Sequence, residues 1–375
     1  MLQPLLKIVL TPAITAFARW WISTPSRNKV HASLDTLYRE IKEGKREMTR
    51  IIDVNLDACK LVIVSDQHKG IRNKADDFRF SANNYCRALE FYYQKGFTLI
   101  NNGDAEELWE NKPEKVIEKN TEPLELEARF LKAGRYYRLW GNHDLEWKVP
   151  QQRSRFLENA MGLPLPVYEA LFLKTTYRSF SWTFLITHGH QGDHTSDGNR
   201  FSTWFVARIW TPIQRYLGIH LDTTASSFAL VDRHNRIMYE WTRTHPQLLL
   251  ITGHTHKPVF ASLDHIDRLN KQLVRAKKDN DHQRALELEK EINRRKKEYK
   301  GKGLLQEKQR PSYFNSGCCC YADGDMTCLE WEDGMIRLVK WKQIGEESLR
   351  QVLEESPVNS LLDELLLASK EHPLK

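Results

Sequence analysis

The chain of 375 residues has no cysteine pair at CxxC spacing. Its six cysteines are Cys59, Cys86, Cys318, Cys319, Cys320 and Cys328, three of them consecutive. That absence excludes a zinc-finger or zinc-ribbon framework. The thiols read as reduced, mostly buried side chains of a reducing compartment, and in the consecutive run neighbours point to opposite faces. A clean spanning helix is also missing. The apolar N-terminus, MLQPLLKIVLTPAITAFARWWIS, is interrupted by Pro4, Lys7, Pro12 and Arg19, whereas crossing a bilayer takes about 20 mostly apolar residues. Three readings of residues 1–23 stand. They are an interfacial anchor with Trp20 and Trp21 at headgroup level beside Arg19, a signal peptide with Ala16-Phe17-Ala18 at its cleavage site, and a helix packed on the protein's own core. The anchor is preferred, so the expected location is cytoplasmic with peripheral membrane association. Excess charge is scarce as well. A formal net charge of +7 suits anionic partners such as phosphate esters or acidic lipid surfaces, and is too small to argue for nucleic acid.

What is present is an ordinary globular composition, with 41% hydrophobic and 10% aromatic residues. Disorder is excluded for most of the chain, and the length suffices for one large domain or two smaller ones. Residues 33–49 read as a polar amphipathic helix. From there apolar strands ending in polar loops alternate with helices: KLVIVSDQHKG, NNYCRALEFYYQKG, FTLINNGDAEELW, LELEARFLKAG, RYYRLWGNHD, SWTFLITHGHQGD and PQLLLITGHTHKP. The alternation predicts α/β layers, in which ligands gather at the carboxyl ends of the strands. After residue 310, Asp323-Gly324 and Asp333-Gly334 predict hairpin turns between strands that close a second sheet.

Two segments read as insertions. Residues 264–300, with sparse apolar residues Ile266, Leu269, Leu273, Leu288 and Ile292, predict a helical hairpin in solvent, read first as a structural arm and second as a basic nucleic-acid or partner contact. Residues 200–219 carry an apolar face of Phe205, Val206, Ile209, Trp210, Ile213, Tyr216 and Leu217, with Arg208 and Arg215 on another, and read as core packing or a greasy lid. The expected organisation is an apolar segment and amphipathic helix over 1–58 and a catalytic domain over 59–342. That domain contains a helical lid over 200–245 and a charged helical insertion over 264–303. A C-terminal helical tail follows over 343–375.

Five polar clusters end apolar runs: Asp66-x-His68, Gly103-Asp104, Gly141-Asn142-His143-Asp144, His188-Gly189-His190 and Gly253-His254-x-His256. Each alone is an ordinary turn or a surface pair. Together they offer carboxylate, imidazole and amide oxygen, donors that suit two divalent cations such as Mn²⁺, Fe²⁺ or Zn²⁺. One aspartate can bridge two ions, and two ions about 3.5–4 Å apart can clamp a phosphate and activate a bridging hydroxide. The glycines let the backbone turn sharply at each strand end.

In this order the motifs D-x-H, G-D, G-N-H-D, H-G-H and G-H-x-H resemble the calcineurin-like metallophosphoesterase superfamily over roughly residues 60–260 and the strands after 310. The resemblance implies a four-layer α-β-β-α sandwich with a dinuclear centre, Mn²⁺ being the first choice of ion. It places Asp66, His68, His256 and the bridging Asp104 on the first ion. Asp104, Asn142, His188 and His254 fall on the second. His143 would protonate the leaving oxygen or stabilise the attacked phosphate, with Asp144 orienting its ring. His190 and Asp193 read as supports of His188, as substrate contacts or as plain structure. Lys69 and Arg72 read as phosphate contacts or, by default, solvated loop charges.

GDAEELW lacks the G-D-x-x-D-R-G run of the protein Ser/Thr phosphatases. It is similar to the run in UDP-2,3-diacylglucosamine pyrophosphatases, many of which carry Arg where His143 stands. That departure leaves a simpler monoester or diester open. Three functions are therefore carried. The first is a dinuclear phosphoesterase acting on a phosphorylated small molecule or lipid-linked substrate near a membrane. The second is a soluble phosphodiesterase for nucleotides or nucleic acid. The third is a non-catalytic interaction module, a use some relatives such as the retromer scaffold subunit make of the fold.

Overall fold

A computed structural model describes residues 26–192, 228–263, 265–299, 310–345 and 347–371. Helix α1 (Arg27–Lys42) places Val30, Leu34, Leu37 and Ile41 on one stripe, a helical spacing that buries all four. Strand β1 (Thr49–Asp53) follows, then β2 (Lys60–Val64), helix α2 (Phe78–Gln94) and β3 (Thr98–Asn102). Helices α3 (Pro113–Lys119) and α4 (Thr121–Lys132) lead to β4 (Tyr136–Leu139). Short helical turns over 145–161 connect it to β5 (Val167–Tyr168), β6 (Ala170–Tyr177) and β7 (Phe180–Thr187). Helix α5 (Phe228–Arg243) precedes β8 (Leu248–Thr252), and α6 (His265–Lys278) and α7 (His282–Tyr299) form a helical pair. The chain ends through β9 (Tyr313–Asn315), β10 (Met326–Glu332), β11 (Met335–Ile344), β12 (Glu347–Pro357) and α8 (Val358–Glu371).

The strands form two sheets, ordered β12-β11-β10-β2-β3-β4-β5 and β1-β6-β7-β8-β9. Strands β2, β3 and β4 run parallel, as do β7 and β8. Three apolar clusters fill the spaces. Ile63, Ile100 and Leu139 of the larger sheet meet Leu171, Phe184 and Ile251 of the smaller one between the sheets. Tyr85, Leu89 and Phe130 of α2 and α4 cover the outer face of the larger sheet. Val30, Leu34, Met238 and Trp241 of α1 and α5 cover the smaller one. This is the expected α-β-β-α sandwich. Because β2, β3 and β4 lie side by side in one sheet and β7 and β8 in the other, their carboxyl ends share one edge.

Several boundaries differ from the sequence reading. The break expected at 58/59 is absent, because α1 packs on the smaller sheet and β1 pairs with β6 at its edge. Residues 228–243 of the expected lid form α5, an outer-layer helix, because Ile237, Met238 and Trp241 give it a buried apolar face. The rest of that lid, 200–227, lies outside the described residues, as do residues 1–23 and Asp193. The tail opens not with a helix but with β12, an edge strand whose partner is β11. Asp333-Gly334 closes the β10–β11 hairpin. Asp323-Gly324 does not close one, because β9 and β10 belong to different sheets. The charged insertion is the α6–α7 pair, joined by its own small core of Leu269, Ala276, Ala285, Leu288 and Ile292. Among the described residues, no helix is long and apolar enough to cross a membrane.

Below the edge where the strand ends meet lies a buried charge network. Lys69, Glu106, Glu127 and Arg138 are at most 1% exposed. Lys69 pairs with Glu127 and lies 3.2 Å from Glu106, and Arg138 pairs with Glu106 and with Glu127. The hydroxyls of Tyr85 and Tyr136 donate to Glu127 at 3.0 and 2.7 Å. Buried charges survive only when paired, and removing one partner strands the others. Glu127→Leu is therefore expected to cost about 3–5 kcal/mol in urea unfolding. A loss below about 1 kcal/mol would show that the network is not needed.

Candidate metal centre

All five clusters lie just beyond strand ends, and pairing continues into the loops. The amide N–H of His68 donates to Asp104 O at 2.9 Å, and that of Lys69 donates to Ala105 O at 2.9 Å. Asp66, His68, Asp104, His254 and His256 all have φ between 48° and 68°. Left-handed backbone is uncommon for side-chain-bearing residues, and its concentration here marks an imposed geometry. The glycines permit close approach. A Cβ on Gly103 would lie 2.7 Å from the His188 ring, and one on Gly141 would fall on the Asp104 carboxylate.

The ligand-type atoms converge in two neighbouring groups, linked by a third of His68, Asp104 and His143. Asp66, His68 and His256 have theirs within 4.8 Å of one another, and so do Asp104, His188 and His254. His68 Nε2 and His256 Nε2 are 3.0 Å apart. Asp66 Oδ1 lies 3.4 Å from His256 Nε2 and 3.9 Å from His68 Nε2. Asp104 Oδ2 lies 3.1 Å from His188 Nε2 and 3.7 Å from His68 Nε2, so this carboxylate stands between the groups.

Outer contacts fix the donors. His188 Nδ1 donates to Asn102 O at 2.8 Å, which turns Nε2 toward Asp104. The backbone N–H of His254 donates to both Asp66 oxygens at 3.0–3.1 Å. Burial works to raise the Asp66 and Asp104 carboxyls, but charge on His188 and neighbouring imidazoles outweighs it and holds both well below the usual range. Asn142 Oδ1 is buried without a hydrogen-bond partner, and the buried His188 Nε2 faces the Asp104 carboxylate at 3.1 Å. A buried atom without a partner is costly in a folded protein unless something binds there. Carboxylate, imidazole and amide oxygen fit divalent cations.

His143 is placed differently from expectation. Asp144 does not orient its ring. The buried Asp144 carboxylate accepts the backbone N–H groups of Gly141 at 2.7 Å and Ala105 at 3.0 Å, and so ties two loops together. Glu107 takes the ring instead, its Oε2 lying 2.7 Å from His143 Nδ1 and 3.2 Å from His68 Nδ1. Burial pushes the Glu107 carboxyl up, but the His143 charge and hydrogen bond overcome it and bring it to about 2. Trp109 stacks on His143 with ring centroids 3.9 Å apart, and its indole N–H donates to Asn142 O at 2.6 Å. Glu107 and Trp109 were missed as site residues. The signal available was their place in the same loop, three and five residues after Asp104.

Other expected contacts fall elsewhere. Lys69 is held inside the charge network, and Arg72 donates to Lys119 O at 3.3 Å and lies over Phe78. Neither is a solvated charge facing the cage. His190 is buried, its ring centroid 5.5 Å from that of His188. A cleft of about 230 Å³ opens beside His68 and His256, with Glu107, Asn111 and Cys320 also in its wall.

The fold and cage define an α-β-β-α protein with a shared Asp and His cluster at the meeting edge of its sheets. No family model matches the chain, and no curated protein matches it significantly. Among solved structures it matches Vacuolar Protein Sorting 29 from Cryptosporidium parvum at 10% identity and TM-score 0.30, over 80% of this chain and 98% of that one.

Gly141→Ala is expected to weaken Mn²⁺ binding at least tenfold in calorimetric titration, with circular dichroism unchanged, because the added Cβ displaces Asp104. Unaltered affinity would mean that Asp104 does not hold the ion.

Proposed function

We propose that the chain is a dinuclear metal-dependent phosphoesterase. The observation that supports this most is the convergence of ligand-type atoms from Asp66, His68 and His256 and from Asp104, His188 and His254, each group within 4.8 Å, with a buried Asn142 Oδ1 that has no hydrogen-bond partner in the adjoining loop. One ion would be held by Asp66, His68, His256 and Asp104, the other by Asp104, Asn142, His188 and His254. When bound, such ions (Mn²⁺ first, Fe²⁺ or Zn²⁺ otherwise) neutralise charge on the phosphate oxygens and acidify water.

The chain's own residues supply the rest. Glu107 accepts the Nδ1 proton of His143 and stabilises its protonated ring, so that Nε2 can deliver a proton to the leaving oxygen. Trp109 holds the plane of that ring and anchors the Asn142 loop in the same contact. The cleft wall bears carboxylates from Asp76, Asp77, Glu107 and Glu110, and no Lys or Arg among the described residues. A second phosphate there would meet repulsion. This favours a monoester or diester with a neutral or cationic arm over a pyrophosphate. The apolar segments at 1–23 and 200–219 support an amphiphilic substrate within the same reading.

The test is a panel of a monoester, a diester and a UDP-linked pyrophosphate on purified protein with Mn²⁺. A monoester or diester is expected to turn over fastest. Asp104→Asn should reduce kcat/KM by about 10³-fold, and His143→Ala by about 10²–10⁴-fold for a poor leaving group. Glu107→Gln should lower kcat for an alkyl ester more than for a nitrophenyl ester, whose leaving oxygen needs no proton. Turnover indifferent to Asp104→Asn would overturn the assignment.

A further inference from the structure

The loop after β9 carries three cysteines over the end of β2, where the Cys319 N–H donates to Asp66 O at 3.2 Å. Cys319 turns into the core under α2, with Val64, Phe78 and Tyr85 in the same cluster. Cys318 lies outside that cluster, and Cys320 packs at its margin while lining the cleft. Their sulfurs and a ring nitrogen of His256 all lie within 4.8 Å of one another. Cys318 is 1% exposed and its sulfur lies within 4.8 Å of a His256 ring nitrogen, whereas Cys320 is half-buried and faces the cleft. One sulfur is thus open to a small oxidant, and a second sits behind it against a ligand-type imidazole.

We propose that Cys318 and Cys320 form a reversible disulfide that responds to peroxide and disables the His256 end of the cage. The Cys320 sulfur attacks one oxygen of hydrogen peroxide, breaks the O–O bond and becomes a sulfenic acid as water leaves. The Cys318 sulfur then attacks the Cys320 sulfur. The S–S bond forms, the S–O bond breaks, and a second water carries away the hydroxyl and the thiol proton. Two thiols and one peroxide give one disulfide and two waters, and an added dithiol reverses the step by exchange. The two sulfurs are separated by one residue and already adjoin, so the bond needs only local backbone movement. Its formation draws the Cys318 sulfur toward Cys320 and away from the His256 ring it now adjoins. Loss of such an outer contact typically weakens ion binding by about 10–100-fold. The effect on turnover rests on the phosphoesterase reading, whereas the bond itself does not.

The experiment uses full-length protein loaded with Mn²⁺, treated with hydrogen peroxide, alkylated, digested and weighed. The expected result is a peptide spanning residues 318–328 that loses two alkylation sites and 2 Da, a change reversed by dithiothreitol. Cys318→Ser and Cys320→Ser should each abolish it, and Cys328→Ser should not. In the same samples Mn²⁺ affinity should fall at least tenfold on oxidation and recover on reduction. A phosphoesterase panel that stays inactive in the reduced protein would count against the assigned activity and leave the mass result to be read alone. The proposal is overturned if no two-thiol loss appears, if the loss survives Cys320→Ser, or if oxidation leaves Mn²⁺ affinity unchanged.

Discussion

The structure depends on bringing the ends of two separate sheets into contact around charge. The Asp66 and Asp104 carboxylates come from the larger sheet. The imidazoles of His188, His254 and His256 come from the smaller one. They meet because His188 reaches back to Asn102 O, and because Asp66 accepts the backbone N–H of His254. Each contact crosses from one sheet to the other. The apolar filling between the sheets sets their separation, and the absence of a side chain at Gly103 and Gly141 lets the loops close. Without that closure the donors would face water separately and hold nothing.

Closure stores strain. Five cage residues sit in left-handed backbone at a cost of about 1–3 kcal/mol each. The strain is held by structure beneath it. Lys69 follows His68 directly and Glu106 lies two residues beyond Asp104, and both are locked into the buried charge network with Glu127 and Arg138. Asp144 adds a second lock by accepting N–H groups from the loops of Ala105 and Gly141. The polar residues interleaved with the cage therefore serve to hold it, and His143 is itself held by Glu107 and Trp109.

Much of this was legible in the sequence. Strand ends were visible because apolar runs such as KLVIV and LLLIT stop at Gly, Asp or His, and parallel order forces those ends to one edge. Side-chain direction was not visible. Nothing in the spacing of GNHD tells that Asp144 turns inward to backbone donors while Glu107, from another loop, faces the His143 ring. Lys69 reads as a loop charge until β3 and β4 bring Glu106 and Arg138 beside it. The alternation in Cys318-Cys319-Cys320 was readable, but its meeting with His256, more than sixty residues away in sequence, required the fold. Residues 1–58 were set apart from the main unit, and the buried stripe of Val30, Leu34, Leu37 and Ile41 shows its partner only in three dimensions.

The central claim is that one carboxylate, Asp104, stands between two ions. The most direct measurement is anomalous diffraction at the manganese edge from crystals of Mn²⁺-treated protein. The account predicts two peaks on opposite sides of the Asp104 carboxylate, one against Asp66, His68 and His256, the other against Asn142, His188 and His254. Peaks elsewhere on the protein, or none at the cage at saturating Mn²⁺, would contradict it.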